Sequence, residues 1–277
     1  MDGIRNILLD GGVETLSART LVVDLLDTGD PLDFSTRDFV RAGAAFGIEP
    51  TGIRTALTRL KAEGRVSTPE RGRYAIGAAG EPLRRRILGW REALARRRTW
   101  EGKWLIAVAG PHDRADRTVW RRTVRALELE GFAEAETNIW ARPDNLTGGV
   151  AGVRDTLAML GGAQSLLVVQ ADGLDQARAA RFPDLWPAAA LAAAHLGRAR
   201  QLDRSAAALD TGDLAAAAAE TLLLGRQAIR AIMRDPLLPD ALCPSQPLAT
   251  LIEAMNRYHR LGKRVWNAYL AGGDAMK

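Results

Sequence analysis

The sequence predicts a multidomain α+β protein whose secondary structure changes in character along the chain. Two amphipathic helices and a short hairpin follow one another between Ser35 and Ile76. Short apolar strands then alternate with helices between Trp104 and Gln170, and no strand pattern follows Leu174. Mixed strands and helices followed by helices alone are typical of separate α+β and all-helical parts.

Three helices and a hairpin are predicted after a short N-terminal arm over residues 1–15. Ser17 is the N-cap of the first helix, and Ser35 or Thr36 is that of the second. Gly47 and Gly64 end the second and third helices, because glycine adopts a positive φ at the lowest cost. Strands are predicted over residues 65–68 and 73–76, and the turn between them contains proline and glycine.

The third helix, which begins near Pro50 or Thr51, has two chemically different faces. Its apolar residues are spaced three and four apart and are predicted to be buried: Ile53, Ala56, Leu57 and Leu60. The other face carries hydroxyls and cations. A helix fits the major groove of DNA, where short hydroxyls permit close approach and arginine makes bidentate contacts with guanine. We predict that bases are contacted by Arg54, Thr55, Thr58 and Arg59. Phosphates are predicted to be bound by Arg19, Thr51, Lys61, Arg71 and Arg73. The alternative is an ordinary helical hairpin with a solvated basic face.

Positive charge begins where the third helix begins. Residues 1–50 hold four arginines against nine acidic residues, a net charge of −5. Residues 51–98 hold thirteen lysines and arginines against four glutamates, a net charge of +9, whereas the whole chain carries +5. Such a local excess is expected of a protein that binds a polyanion, which favours double-stranded DNA as the partner.

A basic helix from Glu81 to Arg98 is predicted to link the first domain to the next. It carries two clusters, Arg84-Arg85-Arg86 and Arg96-Arg97-Arg98. These clusters either extend the DNA-binding surface or form the solvated face of a connecting helix.

Strands and helices alternate in the middle of the chain. Strands are predicted over residues 104–109, 132–135, 138–142 and 165–170, and helices over residues 115–130 and 150–160. The order β-α-β-β-α-β is that of the ferredoxin-like fold, which by itself assigns no function. Only helices are predicted beyond it, over residues 174–180, 187–209, 214–233 and 247–271. The predicted domains are a winged helix-turn-helix DNA-binding domain (1–80), a basic linker helix (81–100), a ferredoxin-like domain (101–172) and an all-helical C-terminal domain (173–277).

Composition narrows the class of protein further. The chain has 277 residues and one cysteine, Cys243, which favours a reducing compartment and a cytoplasmic protein. No signal-peptide pattern and no uncharged apolar run of about 18 residues is present, so we expect no membrane association. The three histidines are far apart in sequence, and no P-loop, nucleophile elbow or dinucleotide-binding motif occurs. We therefore predict no enzyme activity, no metal and no cofactor.

Six short segments occur in one order along most of the chain. They are Ser17-Ala18-Arg19-Thr20-Leu21, Ile53-Arg54-Thr55-Ala56-Leu57-Thr58-Arg59-Leu60, Trp100-Glu101-Gly102-Lys103-Trp104, Asn138-Ile139-Trp140-Ala141-Arg142-Pro143, Arg181-Phe182-Pro183-Asp184-Leu185-Trp186 and Arg234-Asp235-Pro236-Leu237-Leu238-Pro239. Together they resemble the PaaX family of bacterial transcriptional repressors, named for control of phenylacetic acid breakdown.

The resemblance implies the three domains above and a homodimer that binds palindromic DNA. It also implies a repressor that is released by an acyl-CoA effector, phenylacetyl-CoA in the namesake branch. An acyl-CoA pocket needs an apolar cleft and cations for the phosphates. The candidate effector-binding residues on family-like segments are Arg181, Phe182, Trp186 and Arg234. Aromatic residues in such segments also form hydrophobic cores, and that alternative stays open.

A nucleic-acid-processing enzyme is the alternative from a different class of protein. The predicted ferredoxin-like domain resembles that of small CRISPR-adaptation nucleases, and the basic helix would then only deliver the substrate. A metal-dependent nuclease needs carboxylates that converge on Mg²⁺. The strand that begins at Trp104 does not end in an acidic residue, and Asp113 lies beyond it.

Overall fold

The structure, a computed structural model, describes residues 16–27, 33–110 and 114–272, apart from the side chains of Pro82 and Leu83. The predicted N-terminal arm and Asp113 lie outside these residues. Helices and two antiparallel sheets are mixed in the described part, which confirms the α+β class. No helix of this part is long and apolar enough to cross a membrane.

The described chain contains the following elements. The helices are α1 (Ala18–Asp27), α2 (Thr36–Ala44), α3 (Pro50–Ala62), α4 (Glu81–Leu88), α5 (Arg117–Leu129), α6 (Gly149–Met159), α7 (Gln176–Arg181), α8 (Ala188–Ala208), α9 (Leu214–Met233) and α10 (Gln246–Ala271), with 3₁₀ helices over Gly89–Arg96 and Phe182–Leu185. The strands are β1 (Asp33–Ser35), β2 (Val66–Ser67), β3 (Arg73–Ile76), β4 (Trp104–Val108), β5 (Ala133–Glu136), β6 (Ile139–Pro143) and β7 (Leu167–Ala171).

The local structure differs from the sequence prediction in one omission and one error. The sequence did not predict β1, which pairs with β3, because a strand of three residues is too short to show a periodic pattern. The predicted continuous helix over 81–98 instead changes to a 3₁₀ helix at Gly89, with non-helical dihedral angles at Glu92. Glycine is a poor helix former, and Trp90 beside it is only 1% exposed, so this segment is packed rather than solvated.

The chain divides into two compact units that do not follow the predicted domain boundaries. The first unit comprises Met1–Arg91, Ala199–Arg230 and Ile252–Lys277, and the second comprises Glu92–Arg198 and Ala231–Leu251. Residues of the predicted C-terminal helical domain therefore contribute to both units. The predicted helices were present, but an amphipathic helix carries no signal that identifies the surface on which its apolar face packs.

The first unit places the three N-terminal helices around one core with a three-stranded sheet of order β1-β3-β2. Leu21 and Val22 of α1 share this core with Ile53 and Leu57 of α3. The sheet contributes Phe34, whose ring centroid lies 5.5 Å from that of Phe39. The same core also contains apolar residues of the C-terminal helices: Ala217, Ala218, Val265, Trp266 and Tyr269.

The second unit contains an antiparallel sheet of order β5-β6-β4-β7 with α5 and α6 between its strands in the chain. Trp104 at the start of β4 is opposite Pro143 on one side and Ala171 on the other. Arg142 of β6 is 1% exposed and donates hydrogen bonds to the carbonyl oxygens of Glu130 and Pro236. Two of the six sequence segments, those that contain Arg142 and Pro236, therefore meet in the fold of this unit.

Candidate nucleic-acid interface

The two predicted faces of α3 are present in the structure. The apolar residues Ile53, Ala56, Leu57 and Leu60 are buried. The opposite face is exposed over its whole length and consists of Thr51, Arg54, Thr55, Thr58, Arg59 and Lys61. Thr58 Oγ1 donates to the carbonyl oxygen of Arg54 at 3.0 Å, so its lone pairs remain available to a ligand. The helix thus presents a hydroxyl- and arginine-rich surface to solvent.

A close approach between α2 and α3 holds this surface in place. A Cβ atom added at Gly43 would lie 3.1 Å from Ile53 Cγ1 and 3.3 Å from the carbonyl oxygen of Ile48. A larger side chain at residue 43 would therefore push the two helices apart. Gly47, in the turn, has a φ of +65°, as the sequence predicted for the end of α2.

Arg19 lies beside the exposed face of α3 and forms an ion pair with Glu63. It lines a surface depression together with Thr51, Thr55 and Arg59. Its guanidinium makes two hydrogen bonds to the Glu63 carboxylate, at 2.7 and 2.6 Å, and this contact lowers the pKa of Glu63. A phosphate bound at Arg19 would have to compete with Glu63 for the same donors.

The two arginines of the predicted wing differ in whether an acidic side chain contacts them. Arg73 on β3 donates from Nε to Asp33 Oδ1 at 2.9 Å, and this pair raises the pKa of Arg73 and lowers that of Asp33. Arg71 in the β2–β3 turn is exposed, and the described residues place no acidic partner on it. Arg71 is therefore the better placed of the two to bind a phosphate, whereas Arg73 joins β3 to β1.

One exposed arginine near this surface was missed by sequence reasoning. Arg37 lies in the first turn of α2, and the backbone N–H of Thr36 donates to the carbonyl oxygen of Gly72 at 3.3 Å. This hydrogen bond brings the start of α2 next to the hairpin turn that carries Arg71. The sequence offered no signal for it, because the two residues are far apart along the chain.

The four candidate effector-binding residues lie in the second unit, where they take part in three separate sets of contacts. Phe182 and Trp186 are buried and pack on Trp104, with ring centroids 5.3 and 6.3 Å away. Arg181 donates to Glu136 at 2.6 Å, which helps to lower the pKa of that carboxyl. Arg234 is exposed and its charge acts on Glu128. The two rings pack on the same tryptophan, whereas Arg181 binds Glu136 and the charge of Arg234 acts on a different acid, Glu128.

Residues 16–27, 33–110 and 114–272 also contain acidic, histidine and cysteine side chains, the types that could form a catalytic or metal-binding site. These ranges contain no group of three or more His, Cys, Asp or Glu side chains that could hold a metal ion. His195 Nε2 and Asp235 Oδ2 are 2.6 Å apart in the second unit, and Cys243 lines the same small pocket. Burial raises the pKa of the Cys243 thiol, which is the opposite of what an activated nucleophile requires.

No family model and no curated protein matches the chain. Among solved structures, the chain is similar to the uncharacterized protein Rv0674 from Mycobacterium tuberculosis. The two chains superpose with a TM-score of 0.62 and 24% sequence identity, over 92% of this chain and 99% of that one. At this level of identity the similarity shows a shared fold and says nothing about function.

Proposed function

We propose that the chain is a sequence-specific DNA-binding transcription regulator in which α3 is the recognition helix. The observation that carries the proposal is the exposed face of α3, where hydroxyls alternate with arginines opposite a fully buried apolar face. Arg54 and Arg59 have no acidic partner among the described residues, so their donors are available to guanine edges. Lys61 and Arg71 supply charge for phosphates at either side.

The surrounding elements support a winged helix-turn-helix domain. The helices α2 and α3 are joined by the short turn at Gly47, and the β2–β3 hairpin follows α3 in the chain. In this arrangement the second helix of the pair enters the major groove and the hairpin lies near the backbone. We expect Arg37, at the start of α2, and Arg71, in the hairpin turn, to bind phosphates.

The resemblance to PaaX proteins supports the finer parts of the proposal. These are a ferredoxin-like domain with the strand order β5-β6-β4-β7, a helical C-terminal region, a homodimer on palindromic DNA and repression that an acyl-CoA effector relieves. The contacts of Arg181, Phe182, Trp186 and Arg234 within the second unit do not require an effector, and their role in effector binding stays a prediction.

The proposal is tested by selection of bound duplexes from a randomised pool, followed by fluorescence anisotropy over a salt series. We expect an enriched sequence with two related half-sites, and a steep decrease in affinity with salt. A pool that shows no enrichment after repeated rounds would refute sequence-specific binding. Incubation of labelled DNA with the protein and Mg²⁺ tests the nuclease alternative, for which cleavage is the positive result.

Two substitutions separate base contacts from phosphate contacts. Arg59→Ala is expected to relax sequence preference at one position and to cost about 1–3 kcal/mol on the selected duplex. Lys61→Ala is expected to weaken binding to all duplexes alike and to flatten the salt slope by about one unit. Arg121→Ala removes one exposed arginine from the second unit and is the matched control for lost charge. Equal losses from Arg59→Ala and Arg121→Ala would contradict a reading role for α3.

A further inference from the structure

A cavity of about 120 Å³ lies within the first unit. Its wall combines α1, β1, the segment around Trp90, and the helices α9 and α10, and most of it is apolar. An engineered apolar cavity of roughly 150 Å³ holds one benzene molecule, so the present cavity is of the size of a single ring. Well-packed cores leave few voids of this size.

Three buried polar atoms on the residues that line this cavity lack a hydrogen-bond partner in the described part of the chain. They are Asp27 Oδ2, His259 Nε2 and Trp266 Nε1. Asp27 is 5% exposed and Trp266 is 9% exposed. Because each buried polar atom without a partner is costly, three of them on residues that line one void favour a ligand that supplies the missing hydrogen bonds.

The charge state of the wall restricts the ligand. Burial, with the nearby Asp24 charge, raises the pKa of Asp27 to about 8. Burial also lowers the pKa of His259 to about 4, helped by the charge of Arg91. Both groups are therefore mainly neutral near pH 7, and they present donors and acceptors rather than charges. Asp24 and Arg226, which also line the cavity, satisfy one another at 3.1 Å.

We propose that this cavity is a binding site for a small uncharged molecule that consists of one ring and one hydroxyl or amide group. The apolar wall holds the ring. The hydroxyl or amide is both donor and acceptor, and it pairs with Asp27 and with the indole N–H of Trp266. A charged ligand is disfavoured, because the mostly apolar wall would desolvate its charge.

The position of α1 connects this site with the exposed face of α3, an inference that rests on the proposed function. Asp24, Leu25 and Asp27 of α1 line the cavity, while Leu21 and Val22 of the same helix pack in the core with α3. A ligand that shifts α1 changes the support of α3. We therefore expect occupancy of the cavity to change DNA affinity.

The binding test uses 4-fluorophenol and fluorobenzene, which share one ring and one ¹⁹F reporter and differ by the hydroxyl. Titrations of the full chain are followed by ¹⁹F NMR at pH 7. We expect 4-fluorophenol to bind about ten-fold more tightly than fluorobenzene, the effect of one buried hydrogen bond. In Asp27→Leu the ratio is expected to fall to within about two-fold, because the carboxyl partner is gone. Asp203→Leu, which changes an exposed acid of the same unit, is the control and should keep the ratio.

A second variant tests the site in case Asp27→Leu fails to fold. Leu222→Phe enlarges a residue of the cavity wall without touching Asp27, and it should abolish binding of both compounds while the far-UV circular dichroism stays unchanged. Absence of binding to the wild-type protein, or equal affinities for the two compounds in wild type and Asp27→Leu, would overturn the proposed site.

The link with DNA is measured separately, by anisotropy on the selected duplex with and without 4-fluorophenol. A change in affinity that Leu222→Phe removes is the expected result. Binding of 4-fluorophenol without such a change would overturn the coupling through α1 and leave the site standing. Failure of the protein to select any duplex would overturn the proposed function, and the ¹⁹F titration is independent of that outcome.

Discussion

The aromatic cluster of the second unit and the cavity of the first unit differ in the two properties that mark a ligand site. The cluster, formed by Trp104, Phe182 and Trp186, is filled by its own rings, which pack edge-on or stacked at 5.3 to 6.3 Å. The cavity retains a ring-sized void, and polar atoms on Asp27 and Trp266 in its wall lack partners. Aromatic residues alone therefore do not identify a pocket.

This difference explains why the sequence suggested the aromatic cluster, and not the cavity, as the ligand-binding site. Short segments rich in Trp, Phe and Arg are conspicuous in a linear sequence, whether they bind a ligand or one another. A void has no such sequence signal, because it arises from residues of five separated segments. The useful sign is an unsatisfied buried polar atom, which is visible only after the chain is folded.

The largest expected effect concerns the filled cluster. Phe182→Ala removes a ring that is 1% exposed and leaves a hole against Trp104. We expect the free energy of unfolding to decrease by about 3–5 kcal/mol in a urea titration. Leu167→Ala, in the same unit, is the control, because Leu167 is 54% exposed and its truncation should cost little. A small effect of Phe182→Ala would mean that the cluster is loosely packed and that its rings are open to a ligand after all.

The next effect concerns the ion pair in the cavity wall. Asp24 and Arg226 are 3.1 Å apart, with 7% and 6% of their side chains exposed. Asp24→Asn removes the negative charge that pairs with the buried guanidinium of Arg226, which is expected to cost about 3 kcal/mol of unfolding free energy. Asp203→Asn breaks an exposed pair with Arg257 and should cost less than about 1 kcal/mol. Similar costs for both variants would show that water reaches the cavity wall.

Much of the local structure followed from the sequence. Hydrophobic spacing predicted both faces of α3, and the glycines at 47 and 64 were predicted to end helices, where they have φ values of +65° and +67°. These features depend on residues within one or two helical turns of each other, so a periodic pattern is enough to reveal them. The succession of strands and helices along the second unit followed from the same kind of pattern.

The contacts between distant segments did not follow from the sequence. Arg19 was predicted to bind phosphate, but Glu63, 44 residues away, holds its guanidinium. Arg73 pairs with Asp33, which belongs to a strand that was not predicted. Ion pairs of this kind depend on which surfaces the helices and strands bring together, and no local pattern encodes that. The exposed hydroxyls and arginines of α3 were therefore predictable, whereas the ion pairs formed by the neighbouring arginines Arg19 and Arg73 were not.

The effect that is smallest per step of the measurement is a dependence of stability on pH that the cavity wall imposes. Asp27 has a folded-state pKa of about 8 against a reference value of 3.8, so the folded protein keeps a proton that the unfolded chain loses above about pH 4. The stability that this proton contributes to the folded state is complete below that pH and is lost as the pH rises to about 8.

His259 acts in the opposite direction, because its pKa is lowered from 6.5 to about 4. Its contribution to the free energy of unfolding is lost as the pH falls through that range. The charged groups that face these two residues are Asp24, Arg65, Arg84 and Glu81 for Asp27, and Arg91, Lys263 and Arg260 for His259.

The two contributions offset each other between about pH 4 and 6.5, and only that of Asp27 remains between 6.5 and 8. In the upper range each pH unit should lower the free energy of unfolding by about 1.4 kcal/mol through this one proton. Urea titrations of wild type and Asp27→Asn at half-unit steps isolate the effect, because all other groups cancel in the difference. The Asn variant should gain stability relative to wild type as the pH rises, with no further gain above about pH 8. Parallel curves for the two proteins would mean that water solvates Asp27, and its carboxyl would then need no ligand to supply a hydrogen bond.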